Sequence, residues 1–206
     1  MIKNIFRPCD YLDITWGKSE NAETEQQNRQ NAKDKDKVDW IYPFIIAIIS
    51  TCIAVLLHHY IKICAESCKT IFFMNDSFGI ILGFLQTLPG FYIAALAAIS
   101  TFNNPDMDKP MSGSPPLDKN LNTMSRRRFL AQAFSYLTFL SICIFIACTV
   151  IKYFFSIGIV ITNYYLSLIS YAISIFFLVL FFTQMILITF YCLYYLGNRI
   201  HIPHDN

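Results

Sequence analysis

The chain has 206 residues, of which 55% are hydrophobic and only 15% charged, with 19 Phe and 12 Tyr. A soluble domain carries about a quarter charged residues, so this composition excludes one, and the length excludes a multi-enzyme chain. The formal net charge of +2 is too small to point to nucleic acid, so no direct nucleic-acid binding is expected.

Residues 1–39 are polar, with a mildly amphipathic start followed by the low-complexity run NAETEQQNRQNAKDKDKVD. Such a run buries little apolar surface, which predicts a linker or an exposed helix. The start, MIKNIFRPCDYLDITWGKSE, lacks the apolar stretch of a signal peptide, so no cleavable leader is expected. Four apolar segments follow, at 40–61, 78–100, 129–151 and 168–196. Each reaches the roughly 20 residues needed to cross a hydrocarbon core about 30 Å thick. Lipid offers backbone groups no partners, so each is expected to be a helix. Tyr and Trp gather at the segment ends, among them Trp40, Tyr42, Tyr153, Tyr164, Tyr165, Tyr194 and Tyr195, where an aromatic belt belongs. The expected fold class is therefore all-α and polytopic, with four transmembrane helices: a 1–39 segment, then a 40–206 membrane domain.

Basic residues set the expected orientation. Thirteen Lys and Arg fall in 1–39, in the loop 101–128 and at Arg199, against Lys62, Lys69 and Lys152 on the other side. The positive-inside rule then places both termini and the 101–128 loop in the cytoplasm, as in a multi-pass inner-membrane protein. That loop holds Pro105, Pro110, Pro115 and Pro116, which forbid a continuous helix through its first half. An ordered irregular loop or a partner-docking segment is expected there.

The loop ends in MSRRRFLAQAF, residues 124–134. Arg126, Arg127 and Arg128 resemble a twin-arginine export label, but such a label precedes a weakly apolar segment near the N-terminus. After two spans and before a strongly apolar one, the three arginines read as a cytoplasmic anchor. Contact with anionic lipid headgroups or with an acidic partner is compatible with that role.

The second segment contains LQTLPGFYIAALAAIS. Pro89 beside Gly90 predicts a kink near mid-membrane. Gly79, Gly83, Gly90, Ala94 and Ala98 fall on one helical face, which lets another helix approach closely, either within the chain or from a second copy. Gln86, one turn before Pro89, is placed to bond a freed carbonyl or a neighbouring helix.

Candidate chemistry is sparse. No ionisable residue lies in the middle of a span, which counts against transport and intramembrane proteolysis. His58, His59, Cys64 and Cys68 lack the tight paired spacing of a zinc site, so an interfacial helix end is the better reading. His201 and His204 are similarly weak. The seven cysteines follow no secreted framework, and no nucleophile elbow or phosphate loop occurs. The expectation is a protein that is not an enzyme, with no catalytic residues, metal or cofactor.

The stretch LQTLPGFYIAALAAISTFNNPDMDKPM, followed by SRRRFLAQAFSYLTFL, resembles KwaA, the membrane-subunit family of the Kiwa anti-phage defence system. The resemblance covers roughly residues 78–150 and rests on structural motifs, so no functional residues carry over. It implies a non-enzymatic inner-membrane subunit that assembles as a homo-oligomer, senses phage attachment or membrane disturbance, and holds a cytosolic DNA-binding partner (KwaB-like). With short outside segments, such a sensor reads the bilayer itself, and Pro89–Gly90 is a candidate bistable element. The alternative is a small oligomeric channel or membrane-permeabilising effector with the Gln86 face inward.

Overall fold

The computed structural model describes residues 7–17, 22–64, 72–110, 115–118, 120–157 and 164–194. Among these the architecture is all-helical, with only isolated antiparallel bridges in the connections. Helix α1 covers Ala22–Asp36, and a π-helical turn at Lys37–Ile41 joins it without a break to α2, Tyr42–Cys64. The remaining helices are α3 (Asp76–Thr101), α4 (Arg126–Ser156) and α5 (Tyr164–Tyr194). Four helical stretches, Glu23–His58, Asp76–Thr101, Arg126–Phe154 and Tyr165–Tyr194, are long and apolar enough to cross a membrane.

Local chemistry explains several boundaries. Asn75 caps α3 by accepting from the Ser77 N–H at 3.2 Å, with Asp76 in the first turn where the helix dipole favours a carboxylate. Ser125 caps α4, its hydroxyl accepting from the Arg128 N–H at 3.3 Å. Proline-free runs of Ile, Leu and Phe carry α4 and α5 to 31 residues each, roughly 45 Å at 1.5 Å per residue. The expected 40–61 segment proves to be the apolar part of one helix that begins at Ala22. Of the linker and exposed-helix alternatives for the preceding run, the structure has the helix.

Among the described residues the helices do not form a closed ring: α4 packs against α3 and α5, α2 packs against α5, and α2 and α3 do not pack on each other. α2 lays a narrow strip of small residues on α5, with Pro43 and Ala47 buried, and Phe44 meets Phe176 edge-on at 5.7 Å. The other side of α2, with Phe44, Ile45, Ile49, Ile53 and Leu57, is exposed, as is Trp40 just ahead of it. So large an apolar surface suits lipid and not water. α4 is the opposite case, burying Phe129, Leu130, Ala133, Phe134, Tyr136, Leu137, Leu140 and Ile144.

The inward face of α3 carries large side chains. Phe78, Leu85, Tyr92 and Ile99 recur every seventh residue and are all buried, a spacing that keeps one seam against a neighbouring helix. Tyr92 shares a hydrogen bond of 2.8 Å with Thr189 of α5, and Phe84 meets Phe182 at 6.4 Å. Helix α3 runs through Pro89 without interruption.

Candidate functional site

One end of the bundle carries a cap built from sequence-distant pieces. Its first piece is residues 7–17, which begins as a 3-10 turn, Arg7–Tyr11. Tyr11 and Ile14 are buried in the main core, because the Tyr11 ring stacks on Tyr136 at 5.5 Å and tilts against Phe129 at 6.3 Å. Part of the mildly amphipathic start of the polar 1–39 segment is thus a strap laid across the start of α4. Its far end pairs with the loop: Thr15 and Leu117 exchange backbone hydrogen bonds of 3.2 and 2.7 Å. Gly17 lies close beside that pairing: a Cβ there would come within 2.8 Å of the terminal methyl Cδ1 of Leu117.

The second piece is the 101–128 loop, which is ordered and irregular where described. Asn104 accepts from the Asp106 N–H at 2.9 Å and opens a 3-10 turn, Pro105–Met107. Met107 and Met124 are buried and root the loop in the core. Leu117 also bridges Thr123, and Pro110 bridges Ser125. The turn tip holds Leu121 at φ 61°, a left-handed conformation in a fully apolar side chain that is 73% exposed.

The three arginines lie where loop and helix meet, and each is used within the chain. Arg126 is buried at 2% exposure. Arg127 forms a two-pronged ion pair with Asp108 at 2.8 and 3.2 Å, and it donates to the Ile99 and Ser100 carbonyls at 3.3 and 3.2 Å. It therefore caps the C-terminus of α3 from the N-terminus of α4. Arg128 pairs with the buried carboxylate of Asp118. Three cations at a helix N-terminus oppose the helix dipole, and Asp108 and Asp118 supply the compensating charge. The anchor is thus a fastening of the loop to two helices, more than a row of charges turned outward.

A buried polar cluster lies beneath the strap. Asp39, in the π-helical turn, is 1% exposed. Its carboxylate accepts from the Tyr11 hydroxyl at 3.3 Å and pairs with Lys35 at 2.8 Å. Lys35 also sits 4.8 Å over the Tyr11 ring and reaches the Leu12 carbonyl at 3.5 Å. Gln184 of α5 donates to the Asp39 backbone carbonyl at 2.9 Å. Burial, with the Asp39 charge beside it, raises the Tyr11 pKa well above its ordinary value, so the hydroxyl stays a donor. Asp39 was indistinguishable in sequence from the solvated charges before it. Its one distinguishing mark is its place directly ahead of Trp40.

The other singled-out residues lie apart from the cap. Gly83, Gly90, Ala94 and Ala98 are exposed on the outward side of α3, and a Cβ at Gly83 or Gly90 would meet nothing within 4 Å. Gly79 is half-buried, with Lys152 Nζ 4.0 Å from where its Cβ would be. The small-residue stripe is therefore not the seam within the chain. Gln86 is exposed on α3 and Pro89 is half-buried. His58 stacks on Tyr171 at 4.8 Å, the packing of an aromatic ring at a helix end. The side chains of His59 and Cys64, and the whole of Cys68, His201 and His204, lie outside the described residues.

Compared with protein-family models, curated proteins and solved structures, the chain has no match. Among the described residues four helices are long and apolar enough, by length and composition, to cross a membrane, and any finer assignment rests on the cap and on the motifs of 78–150.

Proposed function

We propose that this protein is a non-enzymatic sensor and scaffold of the bacterial inner membrane, the membrane subunit of a Kiwa-like anti-phage defence complex. Both termini and the cap face the cytoplasm, the chain assembles as a homo-oligomer, and the cap recruits a soluble DNA-binding partner. The carrying observation is the cap itself. The strap and the proline-rich loop are woven together by the Thr15–Leu117 pairing, and the loop presents the exposed Leu121 tip. An ordered surface at the end of a lipid-suited bundle serves recruitment, whereas a mere connection between two helices needs no buried methionines or interlocked arginines. The motifs of 78–150 and the basic residues of that end support the defence and orientation readings.

The test is co-purification of a co-encoded soluble protein with the full chain and with Leu121→Asp, which alters the tip and leaves Met107 and Met124 in place. Wild type is expected to retain the partner and Leu121→Asp to lose most of it. Equal retention by both refutes docking through the tip, and absence of any partner on wild type refutes the scaffold reading.

A second reading, a small oligomeric channel, draws on Gln86 lying exposed on α3, the helix that turns Gly83 and Gly90 outward. Membrane depolarisation on activation, abolished by Gln86→Leu or Gly90→Leu, is its signature. An unchanged membrane potential removes it.

A further inference from the structure

We infer that Asp39 is a mechanical joint through which a change in the tilt of α2 is passed to the strap and the 101–128 loop. The inference rests on the reading that these helices cross a membrane, and it deepens the sensor proposal by naming the moving part.

Three observations converge on this residue. First, α2 is held by a single other span. It packs on α5 along one side, from Pro43 and Ala47 to His58, and turns Ile45, Ile49, Ile53 and Leu57 outward. A bilayer whose thickness mismatches a helix is accommodated first by tilt, and a helix held on one side resists tilt least. By contrast α4, buried against α3, α5 and the strap, is the fixed frame.

Second, the helix changes character at Asp39. The π-helical turn at Lys37–Ile41, closed by the Tyr42 N–H donating to the Lys37 carbonyl, separates polar α1 from apolar α2. Wide turns of this kind are places where a long helix bends.

Third, Asp39 ties the pivot to everything around it. Its carbonyl is held by Gln184 of α5, and its carboxylate by Tyr11 of the strap and Lys35 of α1. Tyr11 is four residues from Thr15, which pairs with Leu117 of the loop. A contiguous path therefore runs from α2 through Asp39, Tyr11 and Thr15 to Leu117 and the exposed turn beyond it. Two positions of α2 present the Asp39 carboxylate to Tyr11 differently. The carboxylate is buried and cannot turn to water for a partner, so the strap must follow or release.

The experiment is amide hydrogen exchange on the full chain in vesicles of thin (dimyristoleoyl) and thick (dierucoyl) phosphatidylcholine. For wild type, peptides covering 7–17 and 115–118 are expected to exchange at different rates in the two bilayers, while 134–148 of α4 does not respond. In Asp39→Asn both cap peptides are expected to exchange about tenfold faster and at the same rate in both lipids, as for loss of a hydrogen bond to a charged group. Tyr11→Phe, which keeps the ring and removes only the hydroxyl, is expected to lose the lipid response as well, and it decides the matter if Asp39→Asn fails to protect 134–148. A wild-type strap that ignores bilayer thickness, or a Tyr11→Phe chain that keeps the response, overturns the joint. Partner capture is scored separately. Loss of capture with the lipid response intact refutes docking and leaves the joint standing, and the converse refutes the joint alone.

Discussion

Replacing Arg127 by alanine probes the fastening of α3 to α4 directly. The guanidinium donates to the last free carbonyls of α3, Ile99 and Ser100, at 3.3 and 3.2 Å, while holding Asp108 with two prongs. The carbonyl contacts are long, so together they contribute about 1 kcal/mol, at the low end for charged donors. A cation at a helix C-terminus adds about 0.5 kcal/mol. Asp108 has 64% of its side chain exposed, which limits that pair to about 0.5 kcal/mol after solvent screening. The total, about 2 kcal/mol, corresponds to ~30-fold faster local opening at the end of α3. Amide exchange of a peptide covering 99–104 in the full chain reads this, with 134–148 as the internal control. Asp108→Asn isolates the ion pair and is expected to accelerate exchange only about two- to threefold, in line with its exposure. If Arg127→Ala stays within about twofold of wild type, or if Asp108→Asn matches it, the capping role is refuted.

Three further outcomes follow from the same geometry. Gly17→Ala brings a Cβ against the terminal methyl of Leu117, which can swing aside, so the strap is expected to loosen by no more than about 1 kcal/mol, seen as slightly faster protease cleavage within 7–17, with Leu117→Ala restoring resistance. Ala94→Leu, on the outward side of α3, is expected to leave exchange within the bundle unchanged. If the chain oligomerises through that face, it shifts cross-linked species toward monomer, and an unaltered ladder excludes the face from the contact. Reporter fusions at Asn206 and Ser156 are expected to report cytoplasm and periplasm respectively, and the reverse pattern overturns the assigned orientation.

The role of each arginine shows where local pattern stops being informative. Positive charge beside an apolar run states which end of a helix meets water, because that preference depends on composition alone. It does not say that Arg127 reaches back to Ile99, since that requires α3 and α4 to be antiparallel neighbours. The same divide explains α3. Small residues at four-residue spacing and large ones at seven-residue spacing are both present in FGIILGFLQTLPGFYIAALAAIS. Which set turns inward depends on the volume left by α4 and α5, and Phe78, Leu85, Tyr92 and Ile99 fill it.

What the sequence by itself determined is the number of long apolar helices, their approximate limits and the irregular character of the 101–128 connection. These follow from runs of side chains and from prolines, whose effects act within a few residues. What only the tertiary structure decided is the open order of the helices, the strap over α4 and the burial of Asp39. The reason is that a carboxylate is solvated by default. It becomes a joint only when Tyr11, Lys35 and Gln184, 28, 4 and 145 residues away, converge on it.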